Sequence, residues 1–291
     1  MPSYAYRIVN VFAETTLAGN PLCVFEDARG LDDATMQALA LQFNLSETTF
    51  VLPSAVATAH ARIFTPTFEM PFAGHPTLGT AHVVRSLLRA GDAVTLEMRA
   101  GVIPVAARGD VWTLSANAPK HRAIAATRAD LAAMLGLVAA DVAPDPASPP
   151  LWVDTGSDQL VIPLASADAV QRAAPRAELM QAHCHNGNRA MAYVWARDRE
   201  RARAIAGADS VVARFFFLKH GAVTEDPGTG SACANLGGWL LATGAPLPQH
   251  LAIAQGDAVG RPSRLGLELT ADGRIRVSGR VIELGQGTIN L

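Results

Sequence analysis

The stretches Ala73-Gly74-His75-Pro76-Thr77 and Pro227-Gly228-Thr229-Gly230-Ser231 decide the fold. Each is a glycine-containing turn directly before an apolar segment that predicts a helix, from about residue 77 to 90 in the first case and from residue 231 in the second. Aligning Gly74 with Gly228 places one stretch on the other. This match between distant parts of the chain predicts an internal duplication, with a helix at the same place in each half.

The segments around the two turns predict more strands than helices. Asp32 is expected to cap a helix that runs to Phe43, and Gly91 to end the helix that follows the first turn. Strict alternation of strand and helix is missing, so the pattern favours an α+β fold. Strands are predicted over residues 4–12, 22–25, 48–52, 60–66, 93–98, 102–107, 111–114, 159–163, 191–195, 214–218 and, as a hairpin with Asp272-Gly273 at its turn, 265–291.

The length of 291 residues and the hydrophobic content of 49% fit two folded domains and exclude a disordered chain. A linker-like segment begins at Asn117. We therefore expect a domain boundary near Ala118, with an N-terminal half over residues 1–118 and a C-terminal half over residues 119–291. The last strand of the C-terminal half is expected to cross back to the first strand of the chain.

The charge pattern limits the possible partners. The chain has 24 Lys and Arg against 26 Asp and Glu, and acidic residues interrupt its densest basic cluster, Arg197, Arg199, Arg201 and Arg203. Neither nucleic acid nor an anionic membrane surface is therefore expected as a partner. No apolar run approaches the roughly 18 residues of a spanning helix, and the N-terminus lacks the pattern of a secretory signal. We expect a cytoplasmic protein that acts on a small molecule.

Thiol and metal sites are not expected. The three cysteines, Cys23, Cys184 and Cys233, lie far apart and form no CxxC motif, which argues against disulfides and a thiolate zinc site. The histidines at positions 75, 82, 183 and 185 have spacings that are weak for a metal site, so no metal is predicted. Ser231 does not lie in a Gly-x-Ser-x-Gly motif, which argues against a serine hydrolase.

Ionisable residues flank both glycine turns. A helix N-terminus attracts carboxylates and phosphates, and Thr77 or Ser231 could add a hydroxyl donor or cap the helix. His75 follows the first glycine and Asp226 precedes the second turn. Taken singly, such residues more often serve as ordinary caps and turn residues. If the two halves are related by pseudo-symmetry, the two turns and their ionisable neighbours would face each other.

Glu47 is a third candidate, because it leads into the β-rich segment Thr48-Thr49-Phe50. Partial burial there would favour the protonated carboxyl and make Glu47 useful as a general base or acid. A solvated glutamate at a strand end is the ordinary alternative. Asp226 at a helix N-terminus would instead be held ionised, and acids in such different environments can take different roles.

Several motifs in this order resemble the PhzF-like phenazine-biosynthesis family from about Tyr6 to Ile289. They are Asn10-Val11-Phe12, Gly19-Asn20-Pro21, Ser46-Glu47-Thr48-Thr49-Phe50, Gly74-His75-Pro76-Thr77-Leu78-Gly79, Glu225-Asp226-Pro227-Gly228-Thr229-Gly230-Ser231-Ala232, and Gln255-Gly256 followed by Gly260-Arg261-Pro262-Ser263. The resemblance implies a diaminopimelate-epimerase-like fold. In that fold two similar β-barrel-like domains each surround a central helix, and the active site lies in the cleft between them. It also implies a homodimer.

The resemblance has one chemical limit. In the related diaminopimelate epimerases and proline racemases, a cysteine precedes each of the paired glycines, and the two thiols act as base and acid. Here Ala73 and Pro227 stand at those positions, and Cys233 lies inside the following helix. A two-thiol racemase is therefore excluded, and the resemblance assigns proton movement to a glutamate. Asn10, where the family commonly has aspartate, and Gly228 are two smaller departures.

Carried over to this chain, the resemblance implies an isomerase like that of trans-2,3-dihydro-3-hydroxyanthranilate, a reaction without cofactor. Glu47 would move the proton, and His75 and Asp226 would assist it. A non-thiol epimerase or racemase, and a binding protein without catalysis, are the alternatives, and His185 or Arg189 could also contact substrate. The small carboxylated substrate would be held by Ser46, Gly74, Gly228, Thr229, Gly230 and Ser231.

Overall fold

The chain divides into two compact units. A computed structural model describes residues 1–143, 145–198 and 209–291, so Arg199, Arg201 and Arg203 of the basic cluster lie outside the described residues. Unit 1 consists of residues 1–115 and 278–291, and unit 2 consists of residues 116–277. The division falls just before the expected boundary near Ala118. Most of the last strand is grouped with unit 1, where it pairs with the first strand of the chain.

Unit 1 is built from strands that surround one long helix. The central helix, Gly74–Leu88, is mostly buried, and a second helix, Asp33–Phe43, is capped by Asp32 as predicted. The strands are β1 (Ser3–Val11), β2 (Asn20–Phe25), β3 (Glu47–Leu52), β4 (Ala59–Phe64), β5 (Glu69–Met70), β6 (Ala93–Met98), β7 (Gly101–Arg108), β8 (Val111–Ser115) and, for most of its length, β17 (Ile275–Asn290).

Strand pairing in unit 1 closes into a ring. Starting from β17, the sheet runs through β1, β2, β3, β4, β6, β7 and β8, and β8 pairs again with β17. The pairs β2 with β3 and β4 with β6 are parallel, whereas β1 with β17, β1 with β2, β3 with β4, β6 with β7 and β7 with β8 are antiparallel. Closure leaves no unpaired edge in the barrel. The central helix contacts β1, β2, β3, β4, β6, β7 and β8, so its apolar side chains fill the barrel.

Gly79 shows how closely this helix packs. A Cβ at that position would lie 2.6 Å from Leu22 Cδ2 and 3.0 Å from Val11 Cγ2. These side chains are fully buried on β2 and β1. A larger residue would have to displace them, and interiors packed at crystal-like density resist such a shift.

In the part of unit 2 that the structure describes, the central helix is Gly230–Ala242, and the shorter α-helices are Arg128–Met134, Ala167–Arg172 and Ala177–His183. These short helices cover an apolar cluster that includes Trp152 and Phe216. Its strands are β9 (Lys120–Ala123), β10 (Leu151–Asp154), β11 (Asp158–Pro163), β12 (Met191–Arg197), β13 (Asp209–Lys219), β14 (Ala222–Asp226), β15 (Gln249–Gln255) and β16 (Ser263–Leu269).

The two units repeat one order of strands. In unit 2, β10 pairs antiparallel with β11, β11 parallel with β12, β12 antiparallel with β13, β13 parallel with β15, and β15 antiparallel with β16. This is the order of β1, β2, β3, β4, β6 and β7 in unit 1. In each unit a short strand, β5 or β14, pairs with the preceding strand and leads into the central helix. This shared order of strands is what the predicted internal duplication requires.

The register of the duplication differs from the predicted alignment of Gly74 with Gly228. The central helices begin at Gly74 and at Gly230, and the same turn precedes both. Gly74 therefore matches Gly230, two residues further along. The physical reason is the shared entry into the helix: a proline, Pro71 or Pro227, follows each short strand and stands three residues before the helix.

Two matching ion pairs support the corrected register. Arg62 on β4 forms a bidentate pair with Glu69, and Arg214 on β13 forms a bidentate pair with Glu225. Each guanidinium also lies over the phenylalanine two residues later, at 5.1 Å and 4.7 Å from the ring centroid. Glu69 and Glu225 each stand five residues before the first residue of a central helix. The two halves therefore share an Arg-x-Phe and a Glu-x-Pro-x-x-Gly pattern.

The helix ends also differ from the predictions. The first central helix begins at Gly74 and not at Thr77, because Thr77 N donates to Ala73 O in its first turn. It ends at Leu88 and is capped by Arg89, which takes the left-handed conformation at φ 49°, and not by Gly91. The second begins at Gly230, one residue before the predicted Ser231. Among the helices of the described residues, none is both long enough and apolar enough to cross a membrane.

Candidate active site

Both central helices begin with a glycine and with backbone N–H groups that have no acceptor inside the helix. The first intrahelical bonds are donated by Thr77 N to Ala73 O and by Cys233 N to Thr229 O. The N–H groups before them point out of the helix at its positive end. Pro76 fits in the first turn because it has no N–H to lose there. Each helix start can therefore accept a negatively charged oxygen.

Glu47 and His75 come together in unit 1. Glu47 is the first residue of β3, and His75 is the second residue of the central helix. Glu47 Oε2 lies 3.4 Å from His75 Nε2, and the two side chains are only 15% and 6% exposed. The sequence placed these residues in different motifs, and the barrel brings them into contact.

The imidazole of His75 is neutral. Burial lowers the pKa of His75 to about 3, and a backbone hydrogen bond with Pro21 opposes this shift only in part. Glu47 and His75 therefore do not form a salt bridge, although their distance alone would allow one. A neutral imidazole has one N–H donor and one acceptor nitrogen.

Pro21 determines which nitrogen carries the proton. Proline has no N–H, so its carbonyl must accept the hydrogen bond and the ring of His75 must donate it. Nε2 makes no hydrogen bond within the part of the chain that the structure describes, which assigns the donated proton to Nδ1. The Nε2 lone pair therefore faces Glu47 Oε2. A hydrogen bond between these two atoms would require a proton on the Glu47 carboxyl.

Asp226 and Thr229 come together in unit 2. Thr229 Oγ1 donates to Asp226 Oδ2 at 2.5 Å, and Gln255 Nε2 donates to Thr229 Oγ1 at 3.0 Å and to Asp226 O at 2.9 Å. Gln255 is 1% exposed and lies at the end of β15. These bonds fix the turn through which β14 enters the helix, and they hold the Asp226 carboxylate beside the helix start. The charge of a carboxylate is favourable at that end of a helix.

Ser231 is held by groups that the sequence did not single out. Its Oγ accepts a hydrogen bond of 3.0 Å from Gln159 Nε2, so Ser231 does not cap the helix. Gln159 Oε1 in turn accepts from Asn235 Nδ2 at 2.8 Å. Thr77 does not cap its helix either, because its Oγ1 donates to Ala73 O, one turn back.

The structure also gives the burial and the contacts of the other residues considered in the sequence analysis. Ser46 is partly buried and directly precedes Glu47, while Gly74, Gly228 and Gly230 are buried at the two helix starts. His82 accepts a hydrogen bond from Trp112 Nε1 and so has a packing role. Cys23, Cys184 and Cys233 are buried free thiols. Burial raises the pKa of all three, that of Cys184 to about 12, so none is a ready thiolate.

Sequence reasoning missed the carboxamides of Asn20, Gln159, Asn235 and Gln255. Asn20 and Gln255 stood in quoted motifs without a role, and Gln159 and Asn235 stood in no motif. The repeated Arg-x-Phe and Glu-x-Pro-x-x-Gly patterns were a usable signal for the correct register. No comparable local pattern marks the contact between Gln159 and Asn235, which are 76 residues apart.

Comparison with known proteins places this site in a family. The model of the phenazine biosynthesis-like proteins, PhzC-PhzF, matches residues 9–287, and the chain belongs to this family. An uncharacterised isomerase of Pasteurella multocida is 38% identical over 98% of this chain and 94% of its own length. The trans-2,3-dihydro-3-hydroxyanthranilate isomerase of Pseudomonas fluorescens is 34% identical over 98% of this chain and 99% of its own length. The protein is an isomerase.

Solved structures confirm the fold. A PhzF-family protein of Bacillus anthracis covers 100% of both chains with a TM-score of 0.87 at 24% identity. A hydroxyproline epimerase of Agrobacterium vitis covers 99% of this chain and 93% of its own with a TM-score of 0.58 at 12% identity. The α+β, diaminopimelate-epimerase-like architecture that the resemblance implied is therefore confirmed.

Proposed function

We propose that this isomerase moves a proton between carbon atoms of a small cyclic carboxylate, as in the isomerisation of trans-2,3-dihydro-3-hydroxyanthranilate. Glu47 removes the proton from one ring carbon and returns it to another, so the reaction has no net exchange of atoms and uses no cofactor. A relative with 34% identity carries the name of this isomerase, which supports the substrate class. Cytoplasmic location and a homodimer remain predictions.

The observation that carries the proposal is the contact between Glu47 and a neutral His75. A carboxyl group that delivers the proton it has taken must hold it between the two steps. The lone pair of His75 Nε2, 3.4 Å from Glu47 Oε2, can accept a hydrogen bond from the protonated carboxyl during that interval. Since both side chains are largely buried, bulk water has little access to exchange the proton.

Unit 2 supplies the proposed polar contacts for the substrate. Ser231 and the backbone at Gly228, Thr229 and Gly230 would bind its carboxylate, and Gly74 and Ser46 in unit 1 would bind other polar groups. Asp226 would accept a hydrogen bond from an amino or hydroxyl substituent, because Thr229 donates to its carboxylate and Gln255 donates to its backbone carbonyl. These roles follow from donor and acceptor chemistry at a helix start.

A racemase mechanism with two matched bases has less support. In the register of the two ion pairs, His75 corresponds to Ser231 and Asp226 corresponds to Met70. Thiols are not available in their place, because burial raises the pKa of Cys233, and Ala73 and Thr229 precede the helix starts. The ionisable groups are thus not paired between the halves.

The experiment is turnover of trans-2,3-dihydro-3-hydroxyanthranilate in deuterated water, followed by absorbance and by deuterium content of the product. Glu47→Gln keeps the size of the side chain and removes the base, and we expect a loss of turnover of about 1000-fold or more. Glu14→Gln is the matched control in unit 1, because that side chain is 58% exposed. It should retain wild-type turnover.

The outcomes separate the alternatives. Unchanged turnover by Glu47→Gln would refute the role of Glu47. Deuterium at Cα of an amino acid with loss of optical activity would identify an epimerase or racemase. Binding of the compound without any proton exchange by the wild type would identify a protein that has kept the site and lost catalysis.

A further inference from the structure

Gln159 occupies a fully enclosed position behind Ser231. It lies on β11 and is 2% exposed. Its Nε2 donates to Ser231 Oγ at 3.0 Å and to Ser157 Oγ at 3.3 Å, and its Oε1 accepts from Asn235 Nδ2 at 2.8 Å. All polar atoms of this buried carboxamide are therefore engaged, as buried polar groups require.

Asn235 fixes which way the Gln159 carboxamide points. Asn235 is completely buried on the central helix, and its Oδ1 accepts from both the backbone N–H and the hydroxyl of Thr155. Its Nδ2 must then be the donor, to Ser157 O and to Gln159 Oε1. With its oxygen committed to Asn235, Gln159 can present only its NH₂ group to Ser231. A flipped carboxamide would place two donors against each other.

The orientation of the Gln159 carboxamide determines the direction of the Ser231 hydroxyl proton. A hydroxyl group has one proton and two lone pairs, and one lone pair of Ser231 accepts from Gln159. Its proton therefore points away from Gln159. We propose that Gln159, oriented by Asn235, is a positioning residue that makes Ser231 a hydrogen-bond donor toward substrate oxygen. This inference rests on the proposed function, and it deepens it by selecting a carboxylate or carbonyl oxygen over an ammonium group at Ser231.

Unit 1 contains a similar arrangement. Asn20, the first residue of β2, places its carboxamide nitrogen 3.4 Å from Nδ1 of His75. His75, like Ser231, is the second residue of a central helix. A buried carboxamide near the start of the second strand thus faces the second helix residue in each unit. In unit 1 the contact is one of proximity only, because Nδ1 of His75 donates to Pro21 O and cannot also accept from Asn20.

The first experiment is independent of substrate. Side-chain amide resonances of ¹⁵N-labelled protein are assigned for Gln159, and hydrogen exchange of its NH₂ group is measured. In Ser231→Ala we expect the Gln159 resonances to shift and their exchange to accelerate. Ser231→Thr retains a hydroxyl acceptor and should restore the wild-type signals, while Gln181, an exposed residue of unit 2, should be unaffected in every variant. Unchanged Gln159 resonances in Ser231→Ala would overturn the inference.

The second experiment tests the direction of the hydroxyl with Gln159→Glu. An ionised glutamate at this position still accepts a hydrogen bond from Asn235. Toward Ser231, however, it accepts a hydrogen bond from the hydroxyl group, whereas Gln159 donates one to the hydroxyl oxygen. With trans-2,3-dihydro-3-hydroxyanthranilate we expect Gln159→Glu and Ser231→Ala each to lower kcat/KM by about 10- to 100-fold, the value of one hydrogen bond to a charged group. Because both remove the same donor, the double variant should be no worse than either single one.

The controls separate this inference from the proposed function. Gln181→Glu adds the same charge at an exposed site and should retain wild-type kcat/KM. Multiplying losses in the double variant would show that Gln159 acts independently of Ser231 and would overturn the positioning role. If the wild type does not convert the compound, the proposed function fails, and the resonance experiment alone decides the role of Gln159.

Discussion

Gly256 offers a direct test of how the Asp226 turn is held. It follows Gln255 and has φ +80°, a conformation that favours glycine. A Cβ built there would lie 2.3 Å from Arg261 O and 2.4 Å from Pro227 O, both shorter than the 3.0 Å that real Cβ atoms respect. Gly256→Ala would therefore push on the backbone directly after Asp226. Gly260 has φ +67° and no atom within 4 Å of such a Cβ, so Gly260→Ala is the matched control.

The expected magnitudes follow from these contacts. Both variants force an L-residue into the left-handed region, which costs about 1 to 2 kcal/mol. Gly256→Ala adds the displacement of two backbone carbonyls, and overpacking of this kind costs about 1 to 3 kcal/mol more. The free energy of unfolding should thus fall by about 2 to 5 kcal/mol for Gly256→Ala. The loss should stay within about 1 to 2 kcal/mol for Gly260→Ala.

The assay is urea unfolding followed by tryptophan fluorescence, because Trp152, Trp195 and Trp239 all lie in unit 2. In the folded fraction, Gly256→Ala should also lower turnover more than Gly260→Ala, since it moves the turn that carries Asp226. Equal unfolding midpoints and equal turnover for the two variants would refute the reasoning. The close approach of Pro227 to Gly256 would then have no energetic weight.

Three further predictions concern charge and burial. Because burial lowers the pKa of His75 to about 3, the unfolded chain binds more protons below pH 6.5, and stability should fall as pH drops from 6.5 toward 3. The slope contributed is up to about 1.4 kcal/mol per pH unit. His75→Gln should flatten this dependence in urea unfolding, whereas exposed His121→Gln should not. Arg214→Ala leaves the buried Glu225 carboxylate unpaired and should cost about 3 to 5 kcal/mol of unfolding free energy, against less than about 1 kcal/mol for the exposed Arg176→Ala. Iodoacetamide at pH 8 should leave the cysteines of the folded protein unlabelled in mass spectrometry, because Cys23, Cys184 and Cys233 are buried. After unfolding, all three should be alkylated. Labelling of the folded protein would contradict their burial.

The sequence predicted those features that short segments determine. Strand segments were recognisable from β-branched residues, and Asp32 from its position before an apolar helical pattern; its Oδ1 accepts from Thr35 N at 2.8 Å. Helix starts were less predictable, because Gly74 and Gly230 begin helices at points set by the preceding strand and proline. The predicted alignment was therefore wrong by two residues.

The contacts of the candidate site needed the fold. Glu47 and His75 meet because β3 and the central helix belong to one closed barrel, and nothing near either residue in the sequence indicates this. The neutral state of His75 depends equally on burial, which a sequence motif does not report. Motif resemblance named the segments that contain these residues, but it gave no role to the carboxamides that contact them.

The corrected register bears on the chemistry, because it shows what the duplication kept and what it changed. Phe50 pairs with Arg62 on the neighbouring strand, and Val194 pairs with Arg214. Glu47 stands three residues before Phe50, and Met191 stands three residues before Val194, so the two residues correspond. An apolar side chain thus replaces the carboxyl group in the second half.

The same asymmetry recurs at the helix starts, where Asp226 corresponds to Met70 and Ser231 to His75. The Arg–Glu ion pair occurs in both halves, whereas Glu47, His75 and Asp226 each have a non-ionisable counterpart in the other half. Racemisation removes and adds protons on opposite faces of one carbon, and it needs an acid–base group on each face. A glutamate in unit 1 without an equivalent carboxyl in unit 2 favours a reaction in which a single carboxyl takes a proton and returns it at another carbon.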